Sequence, residues 1–163
     1  KERRCIMAIV ERVEGILKKN NIPYKTIKHQ EAYTAQEIAA AMHVPGKDLA
    51  KVVMVKSKDR YIMAVMPASW RIDFNKLKDV LHEKDVRLAT EEEFKSVFPD
   101  CEAGAEPPFG NLYNIDTYVD KSLAKDDHIF FNAGNHYETV VMDYNDYTNI
   151  VKPMVADFAV QLH

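Results

Sequence analysis

Val52-Val53-Met54-Val55-Lys56, then Ser57-Lys58-Asp59-Arg60, then Tyr61-Ile62-Met63-Ala64-Val65-Met66 follow one another without a break. Two nearly continuous apolar runs, each of strand length, flank a polar four-residue turn. That pattern predicts an antiparallel hairpin at the centre of a sheet, with both faces covered.

The sequence on either side supplies what would cover it. Ile6, Ile9, Val10, Val13, Ile16 and Leu17 recur at helical spacing, so residues 3–19 read as an amphipathic helix that Asn20-Asn21 can end in the left-handed region. Residues 22–27 alternate like a strand. Thr34 with Glu37 forms a capping box for a helix to about Met42, which Val44-Pro45-Gly46 stops. After the hairpin, Asp73 is placed to cap a helix carrying Phe74, Leu77, Val80 and Leu81. Residues 86–88 read as a short strand, and Thr90 with Glu93 opens a second boxed helix that ends before Pro99. Short strands are expected near residues 117–119, 128–132 and 139–142. Asp143 caps a helix over 144–150, and residues 154–163 extend as a helical tail. The fold class is mixed α/β (α+β): one domain over residues 1–163, with a mixed, largely antiparallel sheet or barrel-like core flanked by helices. Residues 1–20 form its N-terminal helix and 153–163 its tail.

Composition narrows the function classes. The chain has 163 residues, 47% hydrophobic and 29% charged, which suits one folded domain rather than a disordered segment. Cys5 and Cys101 are too few for a disulfide framework and read as free thiols in a reducing compartment. No apolar run approaches the roughly 20 residues of a membrane span. The N-terminal apolar patch is interrupted by Glu11 and Arg12, too soon for a secretory segment, so a cytoplasmic, membrane-free location is expected. The formal net charge is -3, against a protein that coats nucleic acid by charge alone. The distribution is uneven: residues 1–60 carry 13 Lys/Arg against 7 Asp/Glu, and the remainder 9 against 18. A basic half facing a polyanion and a dipolar surface without any partner both fit.

The chemistry-bearing features cluster around two glycine turns. Gly104-Ala105-Glu106-Pro107-Pro108-Phe109-Gly110 is stiffened by two prolines and hinged by glycines, with Phe109 placed to plug a hollow. Asn132-Ala133-Gly134-Asn135-His136 follows the apolar run Ile129-Phe130-Phe131. Together they suggest a pocket wall built from main chain. Lys51 stands at the mouth of a buried strand, where an ammonium neutralises a phosphate or developing oxyanion; a snorkelling lysine is the plain alternative. His136 follows a glycine turn and is of a residue type that can donate or accept a proton in catalysis, although a loop histidine is more often simply solvated. No metal-ligand spacing, nucleophile elbow, phosphate loop or dinucleotide fingerprint is present, so neither metal nor cofactor is expected. The carboxylate clusters Asp126-Asp127 and Glu91-Glu92-Glu93 read as turns and helix starts. Cys101 has no basic neighbour in sequence. From residues alone, the reading ends at a pocket of backbone turns, one lysine and one histidine, for something small or anionic.

Several segments recur together in one family: Lys51 leading into Val52-Val53-Met54-Val55, Ala64-Val65-Met66-Pro67-Ala68, and Arg87-Leu88-Ala89-Thr90-Glu91-Glu92-Glu93. So do residues 104–110, Tyr118-Val119-Asp120 and Phe131-Asn132-Ala133-Gly134. From about Tyr24 to Ile150 the chain resembles the YbaK/prolyl-tRNA-synthetase-associated domain family of aminoacyl-tRNA deacylases. The resemblance implies trans-editing: hydrolysis of the ester joining a wrong amino acid, such as alanine or cysteine, to the 3′ end of a tRNA, here one for proline. It implies a free-standing enzyme using neither metal nor dedicated nucleophile, with the acceptor end of aminoacyl-tRNA and prolyl-tRNA synthetase as partners, and no DNA. The family lysine maps onto Lys51, the Gly-x-x-Pro loop onto Gly104 and Pro107, and the glycine turn onto Gly134. His136 falls where some members carry a functional polar residue. Lys51, Gly104 and His136 are therefore the candidate catalytic residues. Pro107, Phe109, Gly110, Asn132 and Gly134 are the candidate substrate-binding ones. Backbone N–H groups of the 104–110 loop are expected to receive an oxyanion. A non-catalytic tRNA- or synthetase-binding module of the same fold, and hydrolysis of another small ester or thioester, are the competing readings.

Overall fold

The computed structural model describes residues 10–28 and 49–161. The boxed helix expected after Thr34, its stop at Val44-Pro45-Gly46, Cys5 and the first turns of the N-terminal helix lie outside those residues.

The central hairpin forms as its apolar runs require. Strand β2 (Ala50–Ser57) pairs antiparallel with β3 (Arg60–Pro67), in register from Ala50↔Pro67 to Ser57↔Arg60. Ser57 and Arg60 themselves pair, so the loop is the two residues Lys58-Asp59 rather than four, with Lys58 in the left-handed region at φ 55°. The alternation along β3 divides the interior in two. Met63 and Val65 enter one core with Phe131, Val140 and Tyr147, whereas Ile62, Ala64 and Met66 enter another with Leu77 and Phe158. This strand is buried on both faces, as its unbroken apolar run demands.

Three other strands extend the hairpin into a five-stranded sheet of order β5-β2-β3-β6-β9, where β5 is Val86–Leu88, β6 is Asp116–Asp120 and β9 is Met154–Ala156. The β5-β2-β3 part is antiparallel, while β3-β6 and β6-β9 are parallel. A second, antiparallel sheet of three strands runs β1 (Tyr24–Lys28), β8 (Glu138–Asp143), β7 (His128–Asn132). The pair β4 (Trp70–Ile72) and β10 (Ala159–Gln161) makes a third. The fold is the expected mixed α/β with largely antiparallel pairing. The barrel-like alternative does not hold, because these sheets remain open.

Helix α1 (Glu11–Lys19) drives Val13 and Leu17 into the first core, and Asn21, at φ 54°, turns the chain out of it. Helices α2 (Phe74–Leu81) and α4 (Tyr144–Val151) begin where expected: Asp73 accepts N–H bonds from Asn75 and Lys76, and Asp143 from Asn145 and Asp146. Helix α3 (Glu91–Phe94) has the full reciprocal box of Thr90 and Glu93, but gives way to a 3-10 turn at Lys95–Val97 before Pro99. Among the described residues no helix is long and apolar enough to cross a membrane.

The C-terminal segment is not the helix its apolar spacing suggests. It forms β9 and β10, because tertiary partners take its backbone groups. The buried Asp120 carboxylate accepts the N–H groups of Phe158 (3.0 Å) and Ala159 (2.9 Å) through Oδ1, and those of Ser122, N–H and hydroxyl, through Oδ2. The carbonyl of Ala156 accepts from Lys121 N–H, and that of Phe158 from Asp73 N–H. A ten-residue helix has little stability of its own to set against these bonds. Replacing Asp120 with alanine leaves buried donors unmatched, and Asp120→Ala should lower the unfolding free energy by about 3–5 kcal/mol. Urea denaturation measures the loss, and faster hydrogen exchange at Phe158 and Ala159 locates it. A change below about 1 kcal/mol would refute the anchoring role.

Candidate functional site

The two larger sheets share the first core and are joined at one edge by backbone pairing. Leu49, just before β2, forms a parallel bridge with Phe130 of β7. Beside that seam lies a cavity of about 140 Å³, lined by Ala50, Lys51 and Val52 of β2, Phe131 and Asn132 of β7, and Gly104, Glu106 and Pro108 of the glycine-proline loop. Lys51 has the strand parity of Val53 and Val55 but stands where the second core runs out, half-buried. Burial pulls its ammonium below the ordinary lysine value.

The loop over this seam is held by the other glycine turn. Glu102 donates its N–H to the Gly134 carbonyl, and Gly134 donates its own to the Ala105 carbonyl, each at 2.8 Å. The His136 N–H bonds Glu102 Oε1 at 2.9 Å, and its ring Nε2 lies 2.8 Å from the Ala103 carbonyl oxygen. Gly134 has φ +104°, and a Cβ there would collide with Val10 Cγ1 at the start of α1. The far end of the loop is held in the first core. Phe109 is fully buried between the rings of Phe131 and Tyr147, at centroid distances of 5.3 and 5.5 Å, and the Tyr147 hydroxyl donates to the Pro108 carbonyl at 2.6 Å. Gly110 leaves room for the Thr117 hydroxyl, which accepts its N–H at 3.0 Å; any Cβ would overlap that hydroxyl and the Ile115 carbonyl.

Of the eight residues expected at the site, Lys51, Gly104 and Asn132 line the cavity. Pro107, Phe109, Gly110 and Gly134 are buried in the loops that shape it, and His136, 3% exposed, lies among them. The loop amides expected to receive an oxyanion already have partners. Ala105 N–H bonds the Glu102 carbonyl, Phe109 N–H the Pro107 carbonyl and Gly110 N–H the Thr117 hydroxyl, while both prolines lack one. The Gly104 N–H, at φ +84°, points to Glu106 Oε2 at 3.2 Å.

Glu106 was not among the expected site residues. It is only 8% exposed, and burial pushes its carboxyl above the usual range, against the opposing pull of its own amide and that of Gly104. The signal for it in sequence is slight: it carries the only charge in the apolar run 103–110. Cys101 sits apart beside Asp100 and Tyr113, and burial first, then nearby carboxylates, push its thiol up to about 12. Among the described residues no three His, Cys, Asp or Glu side chains converge as a metal-ligand group.

Residues 29–150 match the model of the aminoacyl-tRNA editing domain. The proline–tRNA ligase of Bacillus subtilis (strain 168) is 28% identical over 94 residues, which cover 55% of this chain and 16% of the ligase. This chain thus spans about a sixth of the length of that relative. Over 153 residues the chain is 22% identical to the multifunctional Ser/Thr-tRNA deacylase ProXp-y of Escherichia coli (strain K12), covering 91% of each. A crystal structure described as that of a candidate trans-editing enzyme for prolyl tRNA synthetase aligns with a TM-score of 0.80 at 18% identity, over 98% of this chain and 99% of that one. At that identity the likeness concerns the fold.

Two outcomes follow from this geometry. Gly134→Ala adds a methyl where Val10 already sits, in a backbone conformation L-residues resist, and should cost about 2–4 kcal/mol by chemical denaturation. Cys101, protonated at neutral pH, should be alkylated by iodoacetamide at pH 8 at least about tenfold more slowly than a free thiol of ordinary pKa, read by peptide mass spectrometry. Alkylation at the rate of an exposed thiol would contradict its burial.

Proposed function

This chain belongs to the aminoacyl-tRNA editing domain family, and from that membership we propose that it is an aminoacyl-tRNA deacylase of the trans-editing kind. It hydrolyses the ester joining a wrongly attached amino acid to the terminal ribose of a tRNA, here a tRNA for proline bearing a small residue such as alanine or cysteine. The observation that carries this reading is a partly desolvated Lys51 on a cavity of about 140 Å³, with Gly104 and Asn132 on its wall. Ligand pockets usually enclose about 300–1,000 Å³. This one suits a small aminoacyl group, with the nucleotide at the mouth.

An aminoacyl ester is already activated, so the site needs mainly to position it and stabilise charge. The oxygen of a water molecule bonds to the ester carbonyl carbon. The bond from that carbon to the ribose oxygen breaks, one proton of the water ends on the ribose oxygen, the other passes to solvent, and the amino acid leaves as its carboxylate. Lys51 faces the developing oxyanion or the terminal phosphate. The neighbouring ribose hydroxyl of the substrate assists the water, since the His136 ring is engaged with the Ala103 carbonyl. The polar groups on the cavity wall are Lys51, Glu106 and Asn132, a poor donor set for zinc, and the reaction is proposed to be metal-independent. Exposed Lys18, Lys19, Lys25 and Lys28 lie on α1 and β1, where they suit contacts to acceptor-stem phosphates that weaken with salt.

The test is single-turnover deacylation of tRNA for proline charged separately with alanine, cysteine, serine, threonine or proline. Lys51→Ala should slow cleavage of the wrong ester about 10²- to 10³-fold with melting temperature retained. EDTA should leave the rate unchanged. The Lys51-dependent part of the rate, wild type less Lys51→Ala, is present below the lowered Lys51 pKa. It should disappear as pH rises through that value, earlier than for an ordinary lysine. A wild-type rate in Lys51→Ala would remove its assigned role. That no side chain among the described residues has been assigned as general base favours one second reading, a non-catalytic tRNA- or synthetase-binding module. Binding without turnover across the panel would select it.

A further inference from the structure

Glu106 is the charged group on the cavity that hydrolysis, as described, leaves unused. It shares the cavity wall with Lys51, yet among the described residues no lysine or arginine forms an ion pair with it, and the pull of His136 on its carboxyl is the least of those that act there. Its carboxylate accepts the Gly104 N–H at 3.2 Å and lies against its own amide. An ionised carboxylate offers about four acceptor sites, so capacity toward the cavity remains. Burying such a group without a cation costs several kcal/mol, whereas a neutral glutamine could accept the same backbone bond far more cheaply. The retained charge asks for a cationic visitor.

The deacylase substrate brings one. An aminoacyl ester carries an α-ammonium two bonds from the carbonyl carbon that is attacked, and the cavity places one anion and one cation on its wall. We propose that Glu106 is a specificity-determining residue that receives the α-amino group of the esterified amino acid while Lys51 faces the oxyanion side. This rests on the deacylase reading and deepens it: the preferred substrate is an ester with a free α-amine. Holding that amine also fixes the rotation about the bond from the α-carbon to the carbonyl, turning the reacting carbon toward Lys51. The Gly104 amide, which lacks a Cβ beside it, orients the receiving oxygen.

The experiment uses isosteric pairs. Alanyl- and seryl-tRNA for proline are compared with the lactyl and glyceryl esters obtained from them by brief nitrous acid deamination, which replaces the α-amine by a hydroxyl. With each rate divided by the spontaneous hydrolysis rate of the same ester, wild type should cleave the amino esters about 10- to 100-fold faster than their hydroxy counterparts, the worth of one charged hydrogen bond. In Glu106→Gln that ratio should collapse toward one, whatever the variant's absolute rates. Equal wild-type rates on both members of a pair would overturn the assignment while leaving the deacylase intact. A preference that survives in Glu106→Gln would overturn it as well. Stability of all four esters would refute the deacylase reading for these substrates, and the role of Glu106 with it.

Discussion

Gly134 spends both of its backbone groups on the segment Glu102–Ala105, and the cavity depends on that exchange. Its N–H binds the Ala105 carbonyl and its carbonyl the Glu102 amide, three residues apart, so the 102–105 turn is clamped to the turn that follows β7. Val10 occupies the space where a side chain at 134 would stand, and its N–H bonds the Ala133 carbonyl, so α1 seals the clamp from outside. At the other end, Phe109 and the Tyr147–Pro108 bond hold the loop in the core. With both ends fixed, Gly104 and Glu106 have little freedom to leave their positions opposite Lys51, and a rigid frame is what a small positioned reaction requires.

The electrostatics of the cavity run against stability. A half-buried ammonium and a mostly buried carboxylate face one small space without pairing, and desolvation moves each toward its neutral form. The Asp120 carboxylate, by contrast, is met by four donors. The contrast separates a carboxylate that completes the fold from one held ready for something the fold lacks.

What was legible in the sequence was mostly local. The caps at Asp73, Thr90 and Asp143 involve neighbours within three residues, and the two-faced burial of β3 follows from an uninterrupted apolar run. The parallel pairings of β3, β6 and β9 have no local signature, and the C-terminal apolar spacing fits helix or strand until Asp120 selects strand. At the site, Lys51, Gly104 and Asn132 were reachable from the glycine turns and the family motif. Phe109 reads as a pocket plug until Phe131 and Tyr147 close around it. Glu106 was missed because a charge beside a proline ordinarily signals a solvated turn, and only long-range packing buries this one.

The pairing of β1 with β8 has a temporal side. Strand β1 ends at Lys28, and the strand it pairs with begins at Glu138. On a ribosome adding about 5–20 residues per second, roughly 5–20 s separate the emergence of the two. During that interval β2 and β3 can already close their hairpin in microseconds, while Tyr24–Lys28 waits with its ladder unfilled. Lys25 and Lys28 are exposed on its two sides, and charges of this kind discourage an unpaired strand from finding a neighbouring chain first. The same lysines offered here to nucleic acid thus also guard the nascent polypeptide until its C-terminal third arrives.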